Sequence, residues 1–107
     1  VFGEDDYVFA DMFISIIREY VENHDEENLR IYVYKMLNEL MENNLIDIFF
    51  VSESKLIEYK YNSSKDINRF IKRIDNEWKL LNYKFPEPNQ LFWLKINNFG
   101  KLVDNNN

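Results

Sequence analysis

Apolar residues recur at helical spacing from the first segment of the chain. Phe9, Phe13, Ile16 or Ile17 and Tyr20 follow at steps of three and four, with Asp5 and Asp6 placed as N-cap and first-turn carboxylates. The pattern predicts a first helix running to about Asn23. Val8, Met12, Ile14 and Val21 fall off that stripe, and so broad an apolar set predicts a central helix covered on more than one side. A second helix begins near Asp25, carries Glu26 and Glu27 at its positive end and is expected to bury Leu29, Val33, Met36, Leu37 and Leu40. Asn43-Asn44 closes it, because asparagine tolerates the left-handed backbone of a helix stop. With so short a connection, the two helices are expected to form an antiparallel hairpin.

From Leu45 the period changes. LIDIFFV (45–51) and LIEYKY (56–61) are short, β-branched and aromatic, and Ser52-Glu53-Ser54-Lys55 between them reads as a four-residue turn. In this hairpin Ile57, Tyr59 and Tyr61 share one face and Glu58 and Lys60 the other, while the first strand is apolar throughout and expected to be more interior. Ser63 or Ser64 then caps a third helix with the most regular stripe of the chain: Ile67, Phe70, Ile71, Ile74, Trp78 and Leu81. Pro86 and Pro88 make residues 83–90 an extended connection to a last strand, LFWLKI (91–96), ended by Asn97-Asn98 and Gly100. The order is α-α-β-β-α-β: a single α+β domain over 1–107, the helical hairpin and third helix packed on a small, mainly antiparallel sheet, with residues 104–107 a frayed tail.

Charge changes this picture more than composition does. The 107 residues hold 46% apolar and 17% aromatic side chains, ample for one hydrophobic core. No uninterrupted apolar run approaches a membrane span, and no basic segment followed by an apolar stretch opens the chain, so neither a span nor a secretory leader is expected within it. Position 1 is Val rather than Met, which leaves open whether residues precede it. The net charge of −6 argues against a nucleic-acid partner. That charge is unevenly spread: residues 1–28 sum to −8, residues 29–58 to −2 and residues 59–107 to +4. Asp25, Glu26 and Glu27 have a local reason to stand at a helix start. Asp11, Glu19 and Glu22 have none, and Asp11 and Glu22, eleven apart, fall on one face of a helix that reaches both. Helix three carries Lys65, Arg69, Lys72, Arg73 and Lys79 opposite its apolar stripe.

The chain lacks the residues that most chemistries require. Without cysteine there is no disulfide scaffold, thiolate zinc site or cysteine nucleophile, and a reducing cytoplasm is the mildly preferred location. His24, the sole histidine, sits in the polar turn Asn23-His24-Asp25-Glu26, with no orienting partner or ligand spacing around it. The DEE stretch lacks the alternating oxygen ligands and glycine of a calcium loop. Two glycines, at 3 and 100, build no phosphate loop, dinucleotide fingerprint or nucleophile elbow. The expectation is a protein that is not an enzyme, with no catalytic residue, cofactor, metal or small-molecule substrate. Seven Tyr, nine Phe and two Trp exceed the needs of one small core, and Tyr and Trp are favoured interface anchors. Tyr59 and Tyr61 are the candidate anchors, Trp78 is core, and Trp93 fits either side of its strand.

The layout KMLNELMENNLIDI, a hairpin, KDINRFIKRIDNEWKLLN, a PEPN loop and a closing LFWLKI strand resembles the small acidic immunity proteins of bacterial polymorphic toxin and contact-dependent growth inhibition systems. The resemblance covers much of residues 29–96 and rests on positions such as Leu40, Ile46, Ile74, Trp78, Pro88 and Trp93. It implies a cytoplasmic inhibitor that binds a cognate basic toxin domain, in many systems a nuclease, and blocks its active site or substrate access. The partner-binding residues expected for such a role are Asp11, Glu19, Glu22, Asp25, Glu26, Glu27, Tyr59 and Tyr61, with no direct contact to nucleic acid or membrane. Two other readings stand beside it. The exposed aromatics suit a homo-oligomeric structural or interaction domain, and LNELMENNLIDIFFV with its hairpin also resembles a winged-helix nucleic-acid-binding module, with the helix-three cations as its contact face.

Overall fold

The computed structural model describes residues 7–21, 25–52, 55–88 and 90–97. In chain order the elements are β1 (Tyr7–Phe9), α1 (Ala10–Arg18), α2 (Glu26–Glu42), β2 (Ile46–Ser52), β3 (Lys55–Tyr59), α3 (Ser64–Leu80) and β4 (Trp93–Ile96). The α+β class and the α-α-β-β-α-β succession hold, with one strand added before them. That strand corrects the expected start of the first helix. Tyr7, Val8 and Phe9 pair antiparallel with Lys95, Leu94 and Trp93 of β4, so a distant strand overrides the local helical spacing. The helix that follows is shorter at both ends than predicted, and the Asp5-Asp6 cap lies outside the described residues.

The sheet is antiparallel throughout, in the order β1-β4-β2-β3. β2 is central, as its continuous apolar sequence requires. β3 forms one edge and ends at Tyr59, so Tyr61 follows the strand instead of belonging to it. Alternation divides the sheet cleanly. Ile46, Ile48, Phe50 and Leu94 are buried on one face and share a single core with Phe13, Ile14, Ile17, Leu29, Val33, Leu37, Phe70, Ile74 and Trp78 of the helices. Tyr7, Phe9, Asp47, Phe49, Trp93 and Lys95 alternate with them onto the other face, where none is fully buried. All three helices therefore pack on one side, and α2 packs against both α1 and α3.

Local chemistry explains the helix ends. Asp25 caps α2, its Oδ1 accepting from the Glu27 and Asn28 amides at 2.9 and 3.4 Å. Asn44 takes φ 54° just beyond the end of that helix. Ser63, of the two serines expected, caps α3: its hydroxyl accepts from the Asp66 amide while the Asp66 carboxylate accepts from Asn62 N at 2.9 Å. α2 buries Leu29, Val33, Leu37 and Met41, a strict step of four, so Met41 replaces the predicted Met36, which is exposed, and Leu40 is only half-buried. After α3, Asn82 and Tyr83 both take positive φ, at 58° and 56°, a conformation that costs a residue other than glycine about 1–2 kcal/mol. The turn is held by what it returns to: the Trp78 indole donates to the Lys84 carbonyl at 2.8 Å, and the Arg30 guanidinium stacks 3.8 Å from the Tyr83 ring centroid.

Candidate functional site

Helix α1 spends only one of its apolar stripes on the core. Ala10, Phe13, Ile14 and Ile17 face inward, whereas Met12, Ile16 and Tyr20, four apart along the chain, are 49%, 54% and 80% exposed. α1 is covered by the sheet and by α2, as its broad apolar set requires, but its outer side is left open. Three large apolar side chains in a row at the surface of so small a domain are unusual where there is nothing to bind. Sequence periodicity names the residues that share this face, but it does not single out the exposed stripe, because Met12 and Tyr20 belong to the broad apolar set expected to be covered.

The acidic residues surround this stripe unequally. Glu19 follows the last turn of α1 and is exposed, on the same side as Met12 and Ile16. Asp11, in the first turn, is half-buried, and one of its carboxylate oxygens is enclosed without a hydrogen-bond partner among the described residues. Asp25, Glu26 and Glu27 are exposed at the start of α2, and Asp25 is occupied as the cap. Arg18 joins the two helices, 3.7 Å from Glu26 and with its guanidinium 5.0 Å from the Phe85 ring centroid. It holds the Glu26 carboxylate at the end of α1. Glu22 and His24 lie outside the described residues. The structure thus brings Glu19 and Glu26 to the end of a helix whose outer side is apolar.

Tyr59 and Tyr61 stand elsewhere. Both are half-buried against the core, and both hydroxyls are spent internally, Tyr59 donating to the Asp66 carbonyl at 2.7 Å and Tyr61 to the Ile46 carbonyl. Burial, then the nearby carboxylates of Asp47 and Glu58, push the Tyr61 phenol up to about 12. Tyr34 is similarly engaged: its hydroxyl donates to Asp75 Oδ1 at 2.7 Å, and Tyr83 donates to the same oxygen at 3.3 Å. Burial and that carboxylate raise Tyr34 far above the ordinary phenol range. These are rings that fix the helices in place, whereas Tyr20 and Tyr32 are exposed, Tyr20 the more so.

The uncovered face of the sheet forms a second aromatic surface. Trp93 lies between Phe9 and Tyr7, at centroid distances of 4.4 and 5.6 Å, and Tyr7 meets Phe49 edge-on at 5.4 Å. Trp93 accordingly points away from the helices, and its indole nitrogen is enclosed without a partner among the described residues. Between the end of α2 and the start of α3 is an open cavity of about 470 Å³ lined mostly by polar groups, among them Glu42, Asn44 and Ser63. Among the described residues no three acidic or histidine side chains are grouped to hold a metal ion, and no helix is long and apolar enough to cross a membrane. The chain matches no protein-family model, no curated protein and no solved structure.

Proposed function

We propose that this chain is an immunity-type inhibitor, which binds a cognate basic toxin domain through the outer side of α1 and the start of α2 and blocks its active site or its access to substrate. The observation that carries the reading is the exposed Met12, Ile16 and Tyr20 row ending among Glu19, Glu26 and Glu27. A protein interface needs a small apolar or aromatic anchor that is desolvated on binding, set inside a charged rim that selects the partner and speeds encounter. This surface has both parts: Tyr20 and Ile16 as anchors, and a rim of carboxylates that favours a cationic protein. Tyr59 and Tyr61, whose hydroxyls are already bonded, pass their anchoring role to Tyr20.

The test is association with the cognate basic toxin domain that this reading requires, sought as the product of an adjoining gene, measured at low and high salt with charge-reversed and anchor-truncated variants. The expected result is a 1:1 complex whose association slows steeply with salt. Glu19→Lys with Glu26→Lys should slow association at least tenfold, and Tyr20→Ala should speed dissociation at an unchanged association rate. Equal losses from Glu58→Lys with Glu87→Lys, on other parts of the surface, would overturn the assignment of the face. Absence of any complex with that domain would overturn the function.

A further inference from the structure

The outer face of α3 is the reverse of α1: it is basic and has no apolar side chain between its ends. Lys65, Asn68, Arg69, Lys72, Asn76 and Lys79 are all exposed on the side opposite Ile67, Phe70, Ile74 and Trp78. Lys65, Lys72 and Lys79 are seven residues apart, a spacing that drifts only about 20° per step, so they form a nearly straight row about 21 Å long. Arg69 sits beside the first interval.

The helix's own carboxylates do not neutralise this row. Asp66 is held by the Asn62 amide, Asp75 accepts from Tyr34 and Tyr83, and Glu77 pairs at 3.4 Å with Arg73, whose guanidinium lies 3.6 Å from the Phe50 ring centroid. Lys65, Arg69, Lys72 and Lys79 have no ion pair among the described residues. Helix stability accounts for Lys79, a last-turn cation at the negative end of the dipole, but not for Lys65. Lys65 lies in the first turn, at the positive end of the helix dipole, where a cation is unfavourable.

We infer that this row is a docking surface for the phosphodiester backbone of a nucleic acid, read by charge and not by base sequence. An acidic protein partner would need an apolar anchor near the centre of the contact, and this face offers one only at the last residue of the helix, the exposed Leu80. Phosphate contacts need none, since Lys and Arg charges with Asn amide donors suffice. The absence of aromatic side chains in the row removes base stacking and leaves the backbone as the recognised element. The overall charge of −6 does not oppose this. Among the described residues, Asp11, Glu19, Asp25, Glu26 and Glu27 belong to α1, its end and the α2 start, and at about 0.1 M salt such fields are screened over about 10 Å.

The experiment is fluorescence anisotropy of a labelled duplex of about 20 base pairs, and of its single strand, titrated with the full chain from about 20 to 150 mM salt. Four phosphate contacts predict a log–log salt slope of about −3 to −4, a loss of roughly fiftyfold between 50 and 150 mM for the duplex. Lys72→Glu with Lys79→Glu should reduce affinity at least tenfold with an unchanged circular dichroism spectrum, and the Gln pair should give a smaller loss, whereas Lys35→Glu on α2 should change nothing. No binding at the lowest salt would overturn the inference, as would equal loss from Lys35→Glu. So would displacement of the duplex by polyglutamate as readily as by unlabelled duplex, an outcome that would assign the row to an acidic polypeptide.

Discussion

Helices α1 and α3 pack on the same face of the sheet, both against α2, yet they divide their side chains differently. α3 is capped by Ser63, hides its apolar residues apart from the terminal Leu80 and otherwise shows the solvent mostly charges and amides. α1 has no side-chain cap, follows a strand without an intervening turn, and shows the solvent Met12, Ile16 and Tyr20. The difference separates two uses of hydrophobicity. In α3 it holds the fold together. In α1 and just after it Met12, Ile16 and Tyr20 are left outside, where they add little to folding and are available for association. The electrostatics follow the same division, with carboxylates beside the apolar row and unpaired cations on the helix that has no such row.

Truncating the two helices should expose that contrast most sharply. Phe70→Ala removes a ring that touches Phe50, Tyr59 and Phe92 in the sealed core and should cost about 3–5 kcal/mol in denaturant unfolding. Ile16→Ala, a change of comparable chemistry on α1, should cost less than about 0.5 kcal/mol. A loss of several kcal/mol at Ile16 would break the comparison. Alkali is the next largest expected effect. The Tyr61 phenol is raised to about 12 in the folded chain from an ordinary value of 10, so the folded state holds that proton more tightly than the unfolded state. Its contribution is complete below pH 10 and is lost as pH rises towards 12. Tyr34 is raised in the same direction, and unfolding midpoints should fall steeply over that range, less so in Tyr61→Phe and Tyr34→Phe. The smallest effect is at the cap: Ser63→Ala should cost about 1 kcal/mol.

Much of the architecture is legible from sequence, for reasons that differ by element. α3 is read correctly because its stripe is regular, its cap is a serine and the prolines beyond it prevent continuation. The β2-β3 hairpin is legible from its β-branched and aromatic runs. β1 is not, because Tyr7-Val8-Phe9 satisfies both a helical and an alternating pattern, and its partner β4 is at the other end of the chain. The site is legible in its charges and not in its anchors. Counting acids locates the excess near α1, but periodicity cannot say which of two apolar stripes the sheet will cover, so it leaves Ile16 or Ile17 open and does not separate Met12 and Tyr20 from the buried set. The internal bonds of Tyr59 and Tyr61 are equally illegible: their acceptors, the Asp66 and Ile46 carbonyls, are brought to them only by the packing of α3 and the course of the chain after β3.

The two tryptophans report on different parts of the molecule. Trp78 is sealed in the core with its nitrogen bonded to the Lys84 carbonyl, and Trp93 lies half-exposed on the sheet face that no helix covers. In Trp93→Phe the remaining indole emission follows unfolding alone, with no response to anything that settles on the open face. In Trp78→Phe the remaining indole responds to events at that face before the core is disturbed. A single chain therefore contains separate optical reporters for its interior and for its uncovered sheet, with no label attached.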